Sequence, residues 1–325
     1  MFFISHKDFS RTMHRNSRIF IAGHKGLIGS ACMRRFQSQG YTQLLYRLRS
    51  ELELSDRDAL FDFFSQYRPE YVILAAGKVG GILENTKMPA DFMTQNLQIQ
   101  LNVFAAAHKF GAKRVLFFGS SCMYPRECPQ PIQEDALLSG KPEPTSLPYA
   151  LAKLAGLQLC ISYNAQYGAN LFIPLIPNSV YGMHDNFDPA TGHVLSVLIH
   201  RFHAAKIQNA QSVTLWGSGT PKREFLFADD LAAACERILI SEDVHLPINI
   251  GSGMEVSISE LAELIAHVIG YDGQILWDSS KPDGAPRKLL HNGRMKSLGW
   301  AAETSLEEGI RHTYGWYKDW QDNHR

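Results

Sequence analysis

RIFIAGHKGLIGSA, residues 18–31, runs from an apolar pentapeptide into a glycine-punctuated turn and then into helix-forming sequence. A strand that turns at once into a helix needs residues without a Cβ at the turn. A diphosphate also needs close access to backbone N–H groups at the positive end of the helix dipole. Gly23, Lys25, Gly26, Leu27, Ile28 and Gly29 are therefore the candidate dinucleotide cradle.

Outward from this turn the chain alternates short apolar runs with longer amphipathic stretches. Buried strands are expected at 18–22, 44–48, 71–76, 114–119 and 170–176. Helices are expected near 28–39, 56–67, 88–110 and 147–166. Regular alternation with fully apolar strands predicts an α/β fold: a doubly wound parallel sheet of Rossmann type with a smaller, interleaved C-terminal α/β substrate domain. The expected division is an N-terminal extension over 1–17, read as frayed, a dinucleotide-binding domain over 18–176 with a return of about 223–252, and a substrate domain over 177–325. Beyond 177 a loop rich in Pro, Gly, Asn and Asp leads to a basic helix near 194–206. Strands are expected at 213–216 and 248–251, and helices at 229–240, 258–270 and 304–320.

Composition removes several classes of function. Lys+Arg 32 against Asp+Glu 32 gives a net charge of zero, without the basic excess of a dedicated nucleic-acid binder. Self-association is expected from the same neutrality. No apolar run approaches the length of a bilayer span, and the N-terminus lacks a secretory apolar core. Five cysteines without a CxxC pair predict a cytoplasmic protein with neither disulfides nor a structural metal site.

The end of the second expected strand reads Tyr46-Arg47-Leu48-Arg49, with Arg49 where an NAD-type sheet places an acid. A guanidinium there suits a 2′-phosphate, so the expected cofactor is NADPH/NADP+, with Lys25 as a second cation. The fourth expected strand ends at Gly119-Ser120, and Tyr149 and Lys153 follow, four apart on one helix face. A tyrosine beside a lysine can exchange a proton with a carbonyl oxygen that a serine holds; Lys153 is expected to favour the phenolate.

These residues are similar to the extended short-chain dehydrogenase/reductase family. Further segments (LAAGKVGGI at 74–82, FFGSSCMYP at 117–125, PYALAKLAG at 148–156, WGSGTPKREFL at 216–226 and SKPDGAPRKLL at 280–290) resemble the branch that epimerises and reduces GDP-4-keto-6-deoxy-mannose. The resemblance implies 3,5-epimerisation by Cys122 and His193, then 4-reduction by NADPH with Ser120, Tyr149 and Lys153. It implies a GDP-sugar substrate held by Arg201, Trp216, Arg223 and Lys288. It also implies a homodimer joined through a four-helix bundle formed by the helices near 88–110 and 147–166. The chain departs from that branch at Ser146-Leu147-Pro148, usually Asn-Glu-Pro, at Pro177-Asn178-Ser179, usually Pro-Thr-Asn, and at His291, usually Asp. The first two lie near the expected sugar pocket and leave open a C4-reductase of a related GDP-4-keto-6-deoxy hexose or heptose. A non-catalytic NADP-binding regulator is a further alternative.

Overall fold

Ile19–Ala22, four consecutive buried apolar residues, form β1 of a six-stranded sheet. The computed structural model describes residues 13–323 apart from 243, 245 and 282. From β1 the chain passes through α1 (Leu27–Ser38), β2 (Leu44–Leu45), α2 (Arg57–Tyr67), β3 (Tyr71–Leu74), α3 (Ile82–Lys87), α4 (Pro89–Lys109), β4 (Arg114–Phe118), α5 (Leu147–Tyr167) and β5 (Phe172–Pro177). It continues through β6 (Val180–Tyr181), α6 (Val194–Ile207), β7 (Ser212–Trp216), β8 (Lys222–Glu224), β9 (Leu226–Phe227), α7 (Ala228–Ile240) and β10 (Ile248–Ile250). The last elements are β11 (Glu255–Ser257), α8 (Ile258–Ile269), β12 (Gln274–Asp278), β13 (Arg287–Lys288), α9 (Gly293–Ser297) and α10 (Leu306–Asn323).

The large sheet has the order β10-β5-β4-β3-β1-β2, and every pairing is parallel. Alternation along each strand explains why its sequence is apolar throughout. Ile19, Ile21, Tyr71 and Ile73 pack on one face with Phe36 of α1 and Leu231 of α7. Phe20, Ala22, Val72 and Leu74 pack on the other with Phe64 of α2, Phe104 of α4 and Leu157 of α5. A third core joins α6, α8 and α10 through Phe202, Ile265 and Tyr317. Three small sheets, β11-β8-β13, β12-β7 and β6-β9, lie in the later part of the chain. Because the large sheet is parallel, the loops after β1, β3, β4 and β5 all leave from its carboxyl edge, where such folds place their ligands.

Three local expectations need correction. The strand expected over 44–48 is only Leu44–Leu45, because the backbone beyond it turns away with Tyr46 and the two arginines. The helix expected near 88–110 is found as Pro89–Lys109, and Ile82–Lys87 forms a further short helix before it. The strand expected over 71–76 stops at Leu74, where the chain bends into the cavity wall. Residues 1–12 of the expected extension lie outside the described residues, but 13–17 are tied down rather than frayed, with Met13 and Ser17 buried. Met13 is buried in the core, and Arg15 bonds Glu236 of α7 at 3.2 Å and covers the Tyr41 ring.

Phe104 links α4 to the sheet, with its ring 4.7 Å from Phe172 and 5.5 Å from Phe117. Phe104→Ala is expected to cost about 3–5 kcal/mol in urea unfolding, with an unchanged slope against denaturant. A loss below about 1 kcal/mol would contradict the packing described.

Candidate active site

The turn after β1 is closed by backbone contacts that leave no room for side chains. Gly23 has φ +85°, and a Cβ there would lie 2.8 Å from the Ala76 nitrogen. A Cβ on Gly29 would sit 2.1 Å from the Gly23 carbonyl oxygen. Helix α1 thus begins hard against the strand end. Gly26 at its N-cap has no side chain to satisfy the first N–H groups. Lys25, Leu27, Ile28, Arg47 and Arg49 line the same cavity, of about 1290 Å³. Arg49 reaches outward to Glu53 at 2.6 Å, while Arg47 lies over the Tyr67 ring at 4.8 Å. The residues present fit a dinucleotide: a bare backbone cradle, a free helix N-terminus and cations on the rim.

Ser120 follows β4, and its hydroxyl accepts the Cys122 N–H at 3.2 Å. The first turn of α5, opened by Pro148, carries Tyr149 into the same cavity. Tyr149 lies in hydrogen-bonding reach of Ser120, and burial raises its hydroxyl above the usual phenol range, with the Cys122 charge adding to the effect. Lys153 is buried, donates to the Phe118 carbonyl at 2.9 Å, and has its nitrogen 5.7 Å from the Tyr149 ring centre. Burial pushes Lys153 down to about 8. Desolvation is the largest influence on both groups, raising Tyr149 and lowering Lys153.

Cys122 and His193 are shifted in opposite directions. Burial opposes ionisation of Cys122, but the Lys288 ammonium, hydrogen bonds with Ser120 and Ser146, and His193 together hold the thiol below its ordinary value. Lys288 Nζ lies 4.0 Å from the Cys122 sulfur. His193 is raised, first by its hydrogen-bonding relation to Asp185, against desolvation, and further by the Asp185 charge. Nδ1 of His193 is 3.9 Å from Asp185 Oδ1, with the imidazole 52% exposed and the carboxylate only 5%. Ser196 donates to the other Asp185 oxygen and fixes it under the helix start. A thiol inclined to ionise and an imidazole inclined to stay protonated line one cavity wall.

The expected substrate residues divide into two groups. Arg223 and Lys288 line the large cavity. Arg201 and Trp216 do not line it; they face each other, with the guanidinium 5.9 Å from the indole, and Lys281 lies equally far from that ring. Ser218 donates to Asp283 at 2.7 Å and ties the Trp216 strand end to the cavity rim. Sequence reasoning missed Asp185 as a neighbour of His193, and placed Ser146 near the sugar pocket without linking it to Cys122. Asp185 precedes His193 by eight residues in an irregular loop, where no periodicity marks which carboxylate turns inward. Among the described residues no cluster of three or more His, Cys, Asp or Glu side chains is placed to hold a metal ion.

Residues 19–251 match the NAD dependent epimerase/dehydratase family. The chain is 49% identical over 310 residues to GDP-L-fucose synthase 1 of Arabidopsis thaliana, covering 95% of this chain and 96% of that one. It is 48% identical over 317 residues to the GDP-L-fucose synthase of Escherichia coli, covering 95% and 98%. Among solved structures, a GDP-mannoheptose C4 reductase from Campylobacter jejuni with NADP bound superposes with a TM-score of 0.86. It is 37% identical, over 94% of this chain and 99% of that one.

The depressed Lys153 makes a testable demand on stability. The folded chain releases this proton at about 8 and the unfolded chain near 10.5, so the cost to folding is absent above 10.5 and complete below 8. Lys153→Met is expected to unfold with about 3 kcal/mol more stability at pH 7, fading toward pH 10.5. Urea titrations at both pH values check this, and a variant no more stable than the parent at pH 7 would contradict it.

Proposed function

The chain belongs to the NAD dependent epimerase/dehydratase family, and we propose that it is the NADPH-dependent 3,5-epimerase and 4-reductase that turns GDP-4-keto-6-deoxy-D-mannose into GDP-L-fucose. The observation that carries this reading is the oppositely shifted Cys122 and His193 in the cavity that also holds Ser120 and Tyr149. A reductase alone has no need of that second acid–base pair. The two fucose synthases at 48–49% identity favour the hexose over the heptose alternative.

The ketone at carbon 4 acidifies the hydrogens on carbons 3 and 5. The Cys122 thiolate removes such a proton, leaving an enolate, and the His193 imidazolium returns one to the opposite face. Asp185 favours the protonated form of His193 for that step. When bound, NADPH supplies the hydride to carbon 4. Tyr149 gives its hydroxyl proton to the carbon 4 oxygen, Ser120 orients that oxygen, and Lys153 stands by to offset the tyrosinate charge. The glycine turn with Lys25 and Arg49 holds the dinucleotide. Arg201, Trp216 and Arg223 take the GDP-sugar, Arg223 within the cavity and Arg201 with Trp216 beyond its lining. In this reading residues 18–176 with 223–252 serve the cofactor and the rest of 177–325 serves the sugar nucleotide. The protein works in the cytoplasm, consistent with five free thiols and with no described helix long and apolar enough to cross a membrane.

Incubation with GDP-4-keto-6-deoxy-mannose and NADPH in heavy water is expected to place deuterium at carbons 3 and 5. Tyr149→Phe should retain that exchange while losing at least about 10²-fold in NADPH oxidation. NADPH oxidation without exchange in the parent enzyme would contradict the epimerase assignment.

Met93 and Leu101 of α4 and Leu147, Leu151 and Ile161 of α5 are exposed apolar residues on two helices packed side by side. They support a homodimer in which these helices meet their symmetry mates as a four-helix bundle. Sedimentation at micromolar concentration should give twice the mass of one chain, and Leu101→Glu with Leu151→Glu should give a monomer. A monomeric parent would contradict the proposed assembly.

A further inference from the structure

We propose that Lys288 is a positioning residue for epimerisation, its ammonium set against the Cys122 sulfur to favour the thiolate, and not a ligand of the substrate diphosphate. The inference deepens the reading above and rests on Cys122 being an acid–base group. Lys288 belongs to β13, which pairs in parallel with β8 so that Lys288 stands opposite Arg223. Its backbone is fixed from several directions. The Asn178 side-chain amide donates to the Lys288 carbonyl at 3.0 Å and to the buried Glu224 carboxylate at 2.9 Å. The next two N–H groups, of Leu289 and Leu290, donate to Gln130 at 2.8 Å and to Glu224 at 3.1 Å. From that clamped strand the side chain reaches the Cys122 sulfur at 4.0 Å.

The neighbouring cations are engaged differently. Lys222 and Arg287, on the same two strands, both pair with Glu255. No carboxylate among the described residues makes an ion pair with Lys288, which leaves the thiol as its acidic partner. The other charged or titratable groups around Cys122 are His193, Arg223 and Tyr149. Arg223 turns a guanidinium nitrogen to the Lys222 carbonyl at 2.7 Å. His193 has its own counter-charge in Asp185, and Tyr149 is uncharged in the neutral range. The cavity thus carries two crossed pairs, Lys288 with Cys122 and Asp185 with His193. They preset the base and the acid before the sugar enters. Asn178 is the side chain that anchors the strand bearing Lys288.

The test titrates the thiol in the free enzyme, so it needs neither substrate nor turnover. Cys32, Cys160 and Cys235 are buried, so a Cys128→Ser background leaves Cys122 as the accessible thiol. The rate of iodoacetamide alkylation against pH should then show a midpoint below the free-thiol value of about 8.5. Lys288→Met should raise it by about one to three pH units, and Lys288→Arg should recover most of the shift. Deuterium exchange at carbons 3 and 5 at pH 7 should fall at least about tenfold in Lys288→Met. A midpoint at or above about 8.5 in the native sequence overturns the proposal without any variant having to fold. An unmoved midpoint in Lys288→Met with a raised KM for the GDP-sugar overturns it in favour of diphosphate binding. Failure of the wider reading would look different: a low thiol midpoint with no exchange in the native enzyme.

Discussion

A backbone contact too close for any side chain governs this molecule, the approach of Gly29 in α1 to the Gly23 carbonyl at the end of β1. It sets the helix directly on the strand, brings free N–H groups to the sheet's carboxyl edge, and forces Gly23 against the backbone of Ala75 and Ala76 after β3. The loops after β1, β3, β4 and β5 then enclose one cavity rather than several. Glycine at 23 and 29 is thus a requirement of geometry before it is one of ligand binding. The small sheet β11-β8-β13 brings Arg223 and Lys288 to that cavity from the later part of the chain.

Within the cavity, electrostatics separates two chemistries. Burial alone would raise a thiol and lower an imidazole, leaving both neutral and idle. Counter-charges reverse that outcome at Cys122 and His193. At Tyr149 and Lys153 burial wins, raising the phenol and lowering the ammonium. In the proposed reaction these four titratable groups would serve as base, acid, proton donor and charge reserve, each in a different electrostatic setting. The buried lysine is retained at a cost to stability, as expected of a group kept for chemistry rather than for folding.

What the sequence disclosed follows from which contacts are local. The glycine turn is readable because its constraint lies within seven residues, and Tyr149 and Lys153 because a helix brings positions four apart onto one face. The six parallel strands were legible as apolar runs, since both faces of the sheet are covered. Contacts closed across long loops were not. Asp185 reaches His193, Asn178 reaches Lys288, and Glu224 joins β8 to the backbone of Gly253 and Leu290 without any repeating spacing. Cys122 was singled out by resemblance alone, because a cysteine after a strand looks the same whether it packs or reacts. The sign of the Tyr149 shift also lay beyond the sequence, which gives the neighbour but not the depth of burial.

The central claim is that one cavity inverts two ring carbons and then reduces a third. Proton NMR of the product formed from GDP-4-keto-6-deoxy-D-mannose with 4-deuterated NADPH tests it most directly. The account predicts ring couplings of an L-galacto sugar, with one deuterium at carbon 4 and the stereochemistry of GDP-L-fucose. A D-configured 6-deoxy sugar, deuterated at carbon 4 but not inverted at carbons 3 and 5, would contradict it.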